Sequence, residues 1–229
     1  MINIAHRGAS GAYPENTLLA FRKALEFGAG WIELDVHLSA DGELVVIHDE
    51  QLERTTDGRG AVRARALSEL RRFNAGRGER IPLLREVLEL VAGRAVLNVE
   101  LKGRGSAEPT ARLLSEWLEQ GRLTAADLLV SAGDRQQLAV FRSLRPDLRL
   151  AVIYDRKPEH WWRLAEELQL WSLHIDRSLV TGELVEEAHR RGLRLLVFTV
   201  NDRSELLRLR QLGVDGVFTD YPERAAAFR

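Results

Sequence analysis

The sequence predicts an α/β protein, a (β/α)8 TIM barrel with a β-hairpin and loop insertion after its second strand. Short apolar segments that favour β-strands alternate along the 229 residues with segments whose apolar residues recur about every 3.6 positions. Eight such units favour a closed parallel barrel, with a doubly wound open sheet as the alternative. We expect one domain over residues 1–229, because single barrels commonly reach about 250 residues.

The predicted strands are short, apolar and rich in β-branched residues. In chain order they are Ile2–Ala5, Trp31–Asp35, Ala95–Glu100, Leu128–Ser131, Leu148–Tyr154, Trp171–Ile175, Arg194–Val200 and Val214–Phe218. Helices are predicted between them, and capping residues mark their ends. The predicted N-terminal caps are Asn16, Asp134, Thr181 and Asp202, and the glycines predicted to follow helix ends are Gly28, Gly93, Gly121, Gly192 and Gly213.

One strand-like segment, Leu44–His48, interrupts the alternation. It follows the second strand too closely for a crossover helix, so we interpret it as an antiparallel arm with its turn near residues 40–42. This hairpin brings Glu33 near His48. The chain from 49 to 80 is rich in Arg and Gly. We expect an insertion at about 38–80 that forms a lid or binding loop, with disorder as the alternative.

Acidic residues alternate along two of the predicted strands. Glu33 and Asp35 are two positions apart and therefore share one face, and Glu100 shares a face with Lys102 on the third strand. Three carboxylates converging at one end of the barrel favour a hard divalent cation, because Mg²⁺ and Ca²⁺ prefer oxygen ligands. An internal ion-pair network with Arg7 and Lys102 is the alternative.

Two histidines are placed to act beside such a cation. His6 and Arg7 follow the first strand, at the end of the barrel where active sites assemble, and His48 ends the hairpin arm. Hydrolysis of a phosphodiester needs a base, an acid and positive groups around the phosphate oxygens. The chain has no cysteine, which excludes a thiolate site. The remaining histidines are interpreted as structural: His37, His160, His174 and His189.

Five sequence blocks are similar in order and spacing to the glycerophosphodiester phosphodiesterase family. They are His6-Arg7-Gly8, Pro14-Glu15-Asn16-Thr17, Glu33-Leu34-Asp35-Val36, Val45-Val46-Ile47-His48-Asp49 and Glu100-Leu101-Lys102. Later segments around 81–87, 199–201 and 213–220 also resemble that family. The chain differs at two positions, where Ala132 and Phe198 stand in place of an aromatic residue and a tryptophan that family members often have.

The resemblance implies a function and a division of roles. One divalent cation, Mg²⁺, Ca²⁺ or Mn²⁺, would bind to Glu33, Asp35 and Glu100. His6 and His48 would act as acid and base, in an order that stays open. Arg7 and Lys102 would bind the phosphate. The substrate would be a small glycerophosphodiester, hydrolysed to an alcohol and glycerol 3-phosphate, either by water or through a cyclic phosphate.

Other readings of the same residues are a lysophospholipase D-type enzyme acting on lipid diesters, an aldolase with Lys102 as a Schiff-base nucleophile, and a non-catalytic phosphate-binding barrel. The net charge of -1 gives no reason to expect a nucleic-acid partner. Neither a signal peptide nor a membrane anchor is expected, so the predicted location is the cytoplasm. Nothing in the sequence indicates an oligomeric state.

Overall fold

A ring of parallel strands forms the centre of the computed structural model, which describes residues 1–157 and 160–226. In this part of the chain the parallel strands are β1 (Ile2–Ala5), β2 (Trp31–Leu38), β4 (Val96–Leu101), β5 (Leu128–Ala132), β6 (Arg149–Tyr154), β7 (Ser172–Asp176), β8 (Arg194–Phe198) and β9 (Gly216–Thr219). Each pairs with its neighbours in chain order, and β1 pairs with both β2 and β9. The sheet is therefore closed, and the predicted barrel is confirmed.

Helices cover the outside of the barrel, apart from one short helix that packs within the insertion. They are α1 (Leu18–Glu26), α2 (Leu67–Leu70), α3 (Leu84–Val91), α4 (Ala107–Glu119), α5 (Arg135–Leu144), α6 (Trp161–Glu167), α7 (Gly182–Arg190), α8 (Arg203–Gln211) and α9 (Pro222–Ala226). Each of the longer ones buries one apolar face against the strands. In α3 this face consists of Leu84, Val87, Leu88 and Val91, the spacing expected of an amphipathic helix.

One of the predicted helix caps, Asn16, is wrong, and another, Asp202, occupies the N-cap position of α8 without a capping hydrogen bond from its side chain. The side chain that caps α1 belongs to Thr17, which accepts a hydrogen bond from the backbone amide of Ala20. Asn16 has a positive φ of 56° and is buried, with its side chain directed to Asp35. Asparagine is a common helix cap, but here its side-chain amide donates to the buried carboxylate of Asp35, which needs a hydrogen-bond donor.

The predicted hairpin arm is present as β3 (Leu44–Val46), which pairs antiparallel to β2 with Val36 opposite Val46. It is shorter than the predicted Leu44–His48, although the amide of Ile47 still donates to the carbonyl of Asp35 on β2. On the other edge of the arm, the amide of Val46 donates to the carbonyl of Pro82, where the insertion returns to the barrel. The segment that follows is not a disordered loop. It surrounds its own small apolar core, made of Val45, Ile47, Leu52, Val62, Leu70, Ala75 and Ile81.

The barrel is closed at the amino-terminal end of its strands. Trp31 and Trp171 stack there with ring centroids 5.8 Å apart. The guanidinium of Arg149 lies 5.2 and 5.0 Å from their centroids, and its Nε donates to the carbonyl of Leu128 over 2.9 Å. Above this layer, side chains from opposite strands fill the interior. The open end is therefore the carboxyl-terminal one.

No helix in residues 1–157 and 160–226 is both long enough and apolar enough to cross a membrane.

Candidate active site

A cavity of about 710 Å³ opens at the carboxyl-terminal ends of the strands. Six of the seven residues predicted to form a site line it, namely His6, Arg7, Glu33, His48, Glu100 and Lys102. The seventh, Asp35, is fully buried beside Arg7. The structure therefore brings all seven residues together at the end of the barrel where enzymes of this architecture carry out their chemistry.

The three acidic side chains form one cluster. Carboxylate oxygens of Glu33, Asp35 and Glu100 lie within 4.8 Å of one another. The register of the barrel explains this, because Asp35 pairs with Glu100 across β2 and β4, and Glu33 precedes Asp35 on the same face. In addition, Oε1 of Glu33 and Oδ1 of Asp35 are buried without a hydrogen-bond partner. Buried, unsatisfied oxygens in an all-oxygen set fit a hard divalent cation such as Mg²⁺, Ca²⁺ or Mn²⁺.

The three carboxyl groups of the acidic cluster differ in the direction of their pKa shifts. Burial, together with the charges of Asp35 and Glu100, raises the pKa of Glu33 well above its ordinary value. Burial and Asp35 raise the pKa of Glu100 to about 7. The pKa of Asp35 is lowered, because Arg7, His48 and Lys102 outweigh its burial. Asp35 is therefore the carboxylate that stays ionised, while its neighbours compete for protons until a cation neutralises them.

Stabilisation by a divalent cation is expected to grow as the pH rises. As the pH falls, Glu33 and Glu100 take up protons that a cation must displace, since the pKa of Glu33 is raised and that of Glu100 is raised to about 7. At pH 8, cation at about 100 times its Kd should raise the melting temperature of cation-free protein by about 5–10 °C, and clearly less at pH 5.5. Differential scanning fluorimetry measures this. An equal shift at both pH values would contradict the expectation.

Arg7 and Lys102 surround the acidic cluster with positive charge. The backbone amide of Arg7 donates to Glu33 Oε2 over 2.8 Å, and its guanidinium Nε lies 3.3 Å from Asp35 Oδ2. The ammonium of Lys102 is 2.8 Å from Glu100 Oε1. Burial lowers the pKa of Lys102, but Glu100 and Asp35 outweigh it and the net shift is upward. A lysine held in its charged form is unsuited to Schiff-base chemistry.

The turn that carries His6 and Arg7 needs a glycine next to it. Gly8 has a φ of 81°, and a Cβ at this position would lie 2.7 Å from the carbonyl carbon of Ala20 in α1. The close approach of α1 to the end of β1 therefore depends on Gly8. This explains why glycine follows His6 and Arg7 in the first of the sequence blocks.

His6 and His48 are each held by a carboxylate on one ring nitrogen. His6 Nδ1 lies 2.8 Å from Asp220 Oδ1, and His48 Nδ1 lies 2.5 Å from Asp49 Oδ1. If each carboxylate accepts a proton from Nδ1, Nε2 of each ring remains as the atom that can accept or carry a second proton. Burial lowers the pKa of His48, which favours its neutral form.

Sequence reasoning missed the contact of Asp220 with His6. Asp220 also accepts hydrogen bonds from Ser10 Oγ and Asn201 Nδ2, at 3.0 and 2.7 Å. These donors and His6 outweigh the effect of burial and lower the pKa of Asp220 to about 2. The predicted closure of the barrel could have indicated this contact with His6. Thr219 on β9 pairs with Ala5 on β1, which places the residues that follow them, Asp220 and His6, side by side.

Aromatic side chains form part of the cavity wall. Tyr154, Phe198 and Phe218 line it, whereas Trp171 belongs to the stack at the base of the barrel. His174, expected to be structural, also lines the cavity and lies edge-on to Phe218 with centroids 4.9 Å apart. Burial lowers the pKa of His174 to about 3, so this ring is neutral. It therefore forms an uncharged wall opposite the charged residues.

Two other histidines bind protein groups outside the cavity. The ring Nε2 of His37 lies 3.0 Å from the carbonyl oxygen of His48, so His37 contacts the backbone at the end of the hairpin arm. The ring Nε2 of His189 lies 2.9 Å from Asp215 Oδ2.

Comparisons with known proteins agree with this geometry. The model of the glycerophosphoryl diester phosphodiesterase family matches residues 6–224. A glycerophosphodiester phosphodiesterase of Caldanaerobacter subterraneus subsp. tengcongensis is 37% identical over 96% of this chain and 94% of its own length. One from Bacillus altitudinis is 39% identical over 98% and 96%.

Among solved structures, an Oleispira antarctica phosphodiesterase in complex with the product sn-glycerol-3-phosphate superposes with a TM-score of 0.93. It is 36% identical and covers 99% of this chain and 96% of its own. The family match extends over nearly the whole chain and includes every residue of the cavity described above. The chain belongs to the glycerophosphoryl diester phosphodiesterase family.

Proposed function

We propose that this protein is a metal-dependent phosphodiesterase that hydrolyses glycerophosphodiesters to an alcohol and glycerol 3-phosphate. The observation that carries the proposal is the meeting, at one cavity, of three clustered carboxylates, two oriented imidazoles and two cationic side chains. The named relatives and the Oleispira antarctica phosphodiesterase with its bound sn-glycerol-3-phosphate support the same substrate class.

The cation-binding residues in this proposal are Glu33, Asp35 and Glu100, whose unsatisfied buried oxygens are described above. A divalent cation bound there supplies positive charge that stabilises the additional negative charge of the transition state. Arg7 and Lys102 bind the phosphate oxygens and orient the diester. Both are partly exposed to the cavity and both remain cationic, since the pKa of each is raised by neighbouring carboxylates despite burial.

The two imidazoles move the protons of the reaction. One removes a proton from the attacking hydroxyl as the new P–O bond forms, and the other donates a proton to the alcohol oxygen as its P–O bond breaks. We assign the base to His48, because its lowered pKa keeps the ring neutral at pH 7, and the acid to His6. The attacking hydroxyl is supplied by water or by the glycerol of the substrate, which makes a cyclic phosphate that water then opens.

The direct test is release of glycerol 3-phosphate from glycerophosphocholine by chelator-treated protein. We expect no release without metal and restored release with added magnesium, calcium or manganese. Glu33→Ala should stay inactive under all of these conditions, because one of three carboxylate ligands is missing. Wild-type protein that is inactive with every metal and diester would refute the proposed catalysis and favour a phosphate-binding role.

A water-soluble diester is expected to be a better substrate than a lipid diester. The large apolar side chains that are exposed in the described residues are Met1, Val140, Leu144 and Leu207, and none of them lines the cavity. The rim instead carries Arg135, Arg156 and Lys157. Without an apolar entrance, an acyl chain gains little from burial at this site. The kcat/KM for glycerophosphocholine should therefore exceed that for lysophosphatidylcholine, and the reverse order would favour a lysophospholipase D-type function.

A further inference from the structure

Arg54 lies in the insertion, outside the cavity, yet it makes four hydrogen bonds to two carboxylates. Its Nε and Nη2 donate to Asp49 over 2.5 and 3.0 Å, and its Nη1 and Nη2 donate to Glu15 over 2.7 and 2.8 Å. A guanidinium is planar and presents its donors in a fixed fork, so two bidentate contacts determine the relative orientation of both carboxylates. Arg54 thus connects the insertion to the loop that precedes α1.

Each of these two carboxylates also holds a residue of the cavity. Asp49 contacts Nδ1 of His48 over 2.5 Å, and Glu15 accepts from Nη1 of Arg7 over 2.8 Å. The contacts form one continuous chain from His48 through Asp49, Arg54 and Glu15 to Arg7. The proposed base, His48, and the proposed phosphate-binding residue, Arg7, are therefore connected through Arg54, although they come from different parts of the sequence.

The charges along this chain alternate in sign. Hydrogen bonds from Arg54 and His48 hold the pKa of Asp49 well below its ordinary value, against the effect of burial. Arg54 and Arg7 lower the pKa of Glu15 in the same way, again against burial. If Arg54 were removed, Asp49 would keep only His48, and Glu15 only Arg7, among the contacts described. The contacts of Asp49 with His48 and of Glu15 with Arg7 would then no longer be held from the side of Arg54, so the orientation of both cavity residues would be less fixed.

We propose that Arg54 is a positioning residue that orients His48 and Arg7 at the same time and so couples the docking of the insertion to the assembly of the active site. Arg54 does not line the cavity, so it acts through Asp49 and Glu15 and not on the substrate. The inference rests on the proposed function for the roles of His48 and Arg7. Its geometry is independent of that function.

Arg54→Ala is expected to lower kcat for glycerophosphocholine about 10–100-fold, the usual effect of removing a residue that orients a catalytic group. KM should rise as well, because Arg7 is released together with His48. Arg63→Ala is the matched control, since Arg63 is an exposed arginine of the same insertion without an ion pair among the described residues. Its kcat and KM should equal those of wild type.

Arg54→Lys separates orientation from charge. A lysine keeps the positive charge but cannot pair in bidentate fashion with two carboxylates, so its activity should lie between those of wild type and Arg54→Ala. It also serves as the second variant if Arg54→Ala does not fold. The double variant Arg54→Ala with Asp49→Asn should lose less than the product of the two single losses, because both changes act on the same contact to His48.

A measurement without turnover distinguishes this inference from the proposed function. Heteronuclear NMR of the His48 ring reports whether its proton is held on Nδ1, and Arg54→Ala should shift that population while Arg63→Ala should not. An inactive wild type would refute the proposed function alone, and the NMR result would still decide the role of Arg54. A folded Arg54→Ala protein with unchanged His48 signals, and with kcat and KM within about twofold of wild type, would overturn the inference.

Discussion

Replacement of His48 by alanine is expected to lower kcat for glycerophosphocholine by about 10²–10⁴-fold, the range typical of a general acid or base. The side chain is 26% exposed at the cavity and its ring contacts Asp49, so its loss should leave the barrel folded. His6→Ala should have an effect of similar size, since His6 is held in the same manner by Asp220. Steady-state kinetics with saturating metal measure both effects.

The control is His189→Ala, because His189 is also paired with an aspartate but lies outside the cavity. It should keep full activity. The assignment of the base adds a pH dependence. Since burial lowers the pKa of His48 below its ordinary 6.5, the loss of wild-type kcat on the acid side should set in below about pH 6.5, when this ring gains a proton. Activity in His48→Ala within tenfold of wild type would exclude a catalytic role.

Replacement of Asp35 by asparagine is expected to abolish cation-dependent turnover, with a loss of about 10³-fold or more, because a bound metal contributes several kcal/mol of transition-state stabilisation. Asp35 is the member of the acidic cluster whose pKa is lowered, so it supplies the permanent negative charge of the site. Asparagine preserves the shape and removes the charge. Titration calorimetry with calcium or manganese should show weakened binding in parallel with the loss of activity.

Glu116→Gln is the matched control for this change, because it converts an exposed carboxylate on α4 into an amide and leaves the cavity untouched. It should bind cation and turn over substrate like wild type. If Asp35→Asn retained both cation affinity and turnover, the acidic cluster would be an internal ion-pair network with Arg7 and Lys102, the alternative interpretation of its sequence pattern.

The sequence was sufficient for those parts of the molecule that follow from periodicity. Two-residue spacing puts Glu33 and Asp35 on one face of β2. The same spacing puts Glu100 on one face of β4 with Asn98. Parallel strands of a barrel end at the same mouth, so the residues that follow them must meet. The hairpin arm was predictable from the short gap between β2 and β3, which leaves no room for a helix.

The partners of these residues could not be predicted because they depend on contacts between distant segments. Asn16 has the local features of a helix cap, but its side-chain amide donates to the buried carboxylate of Asp35, 19 residues further along the chain. Asp220 follows a strand like many surface aspartates, and only the closure of β9 onto β1 brings it to His6. Arg54 is one of many arginines in its segment, and the sequence gives no sign that its fork spans two carboxylates.

The stacked tryptophans at the base of the barrel also restrict how molecules travel through it. With Trp31, Trp171 and Arg149 packed across the amino-terminal end, the described residues give the cavity a floor there, and it opens at the carboxyl-terminal ends of the strands. Substrate, water, the liberated alcohol and the phosphomonoester must all pass the same rim. Each cycle is therefore complete only when both products have departed along the path by which the diester arrived, and an occupied cavity blocks the next substrate.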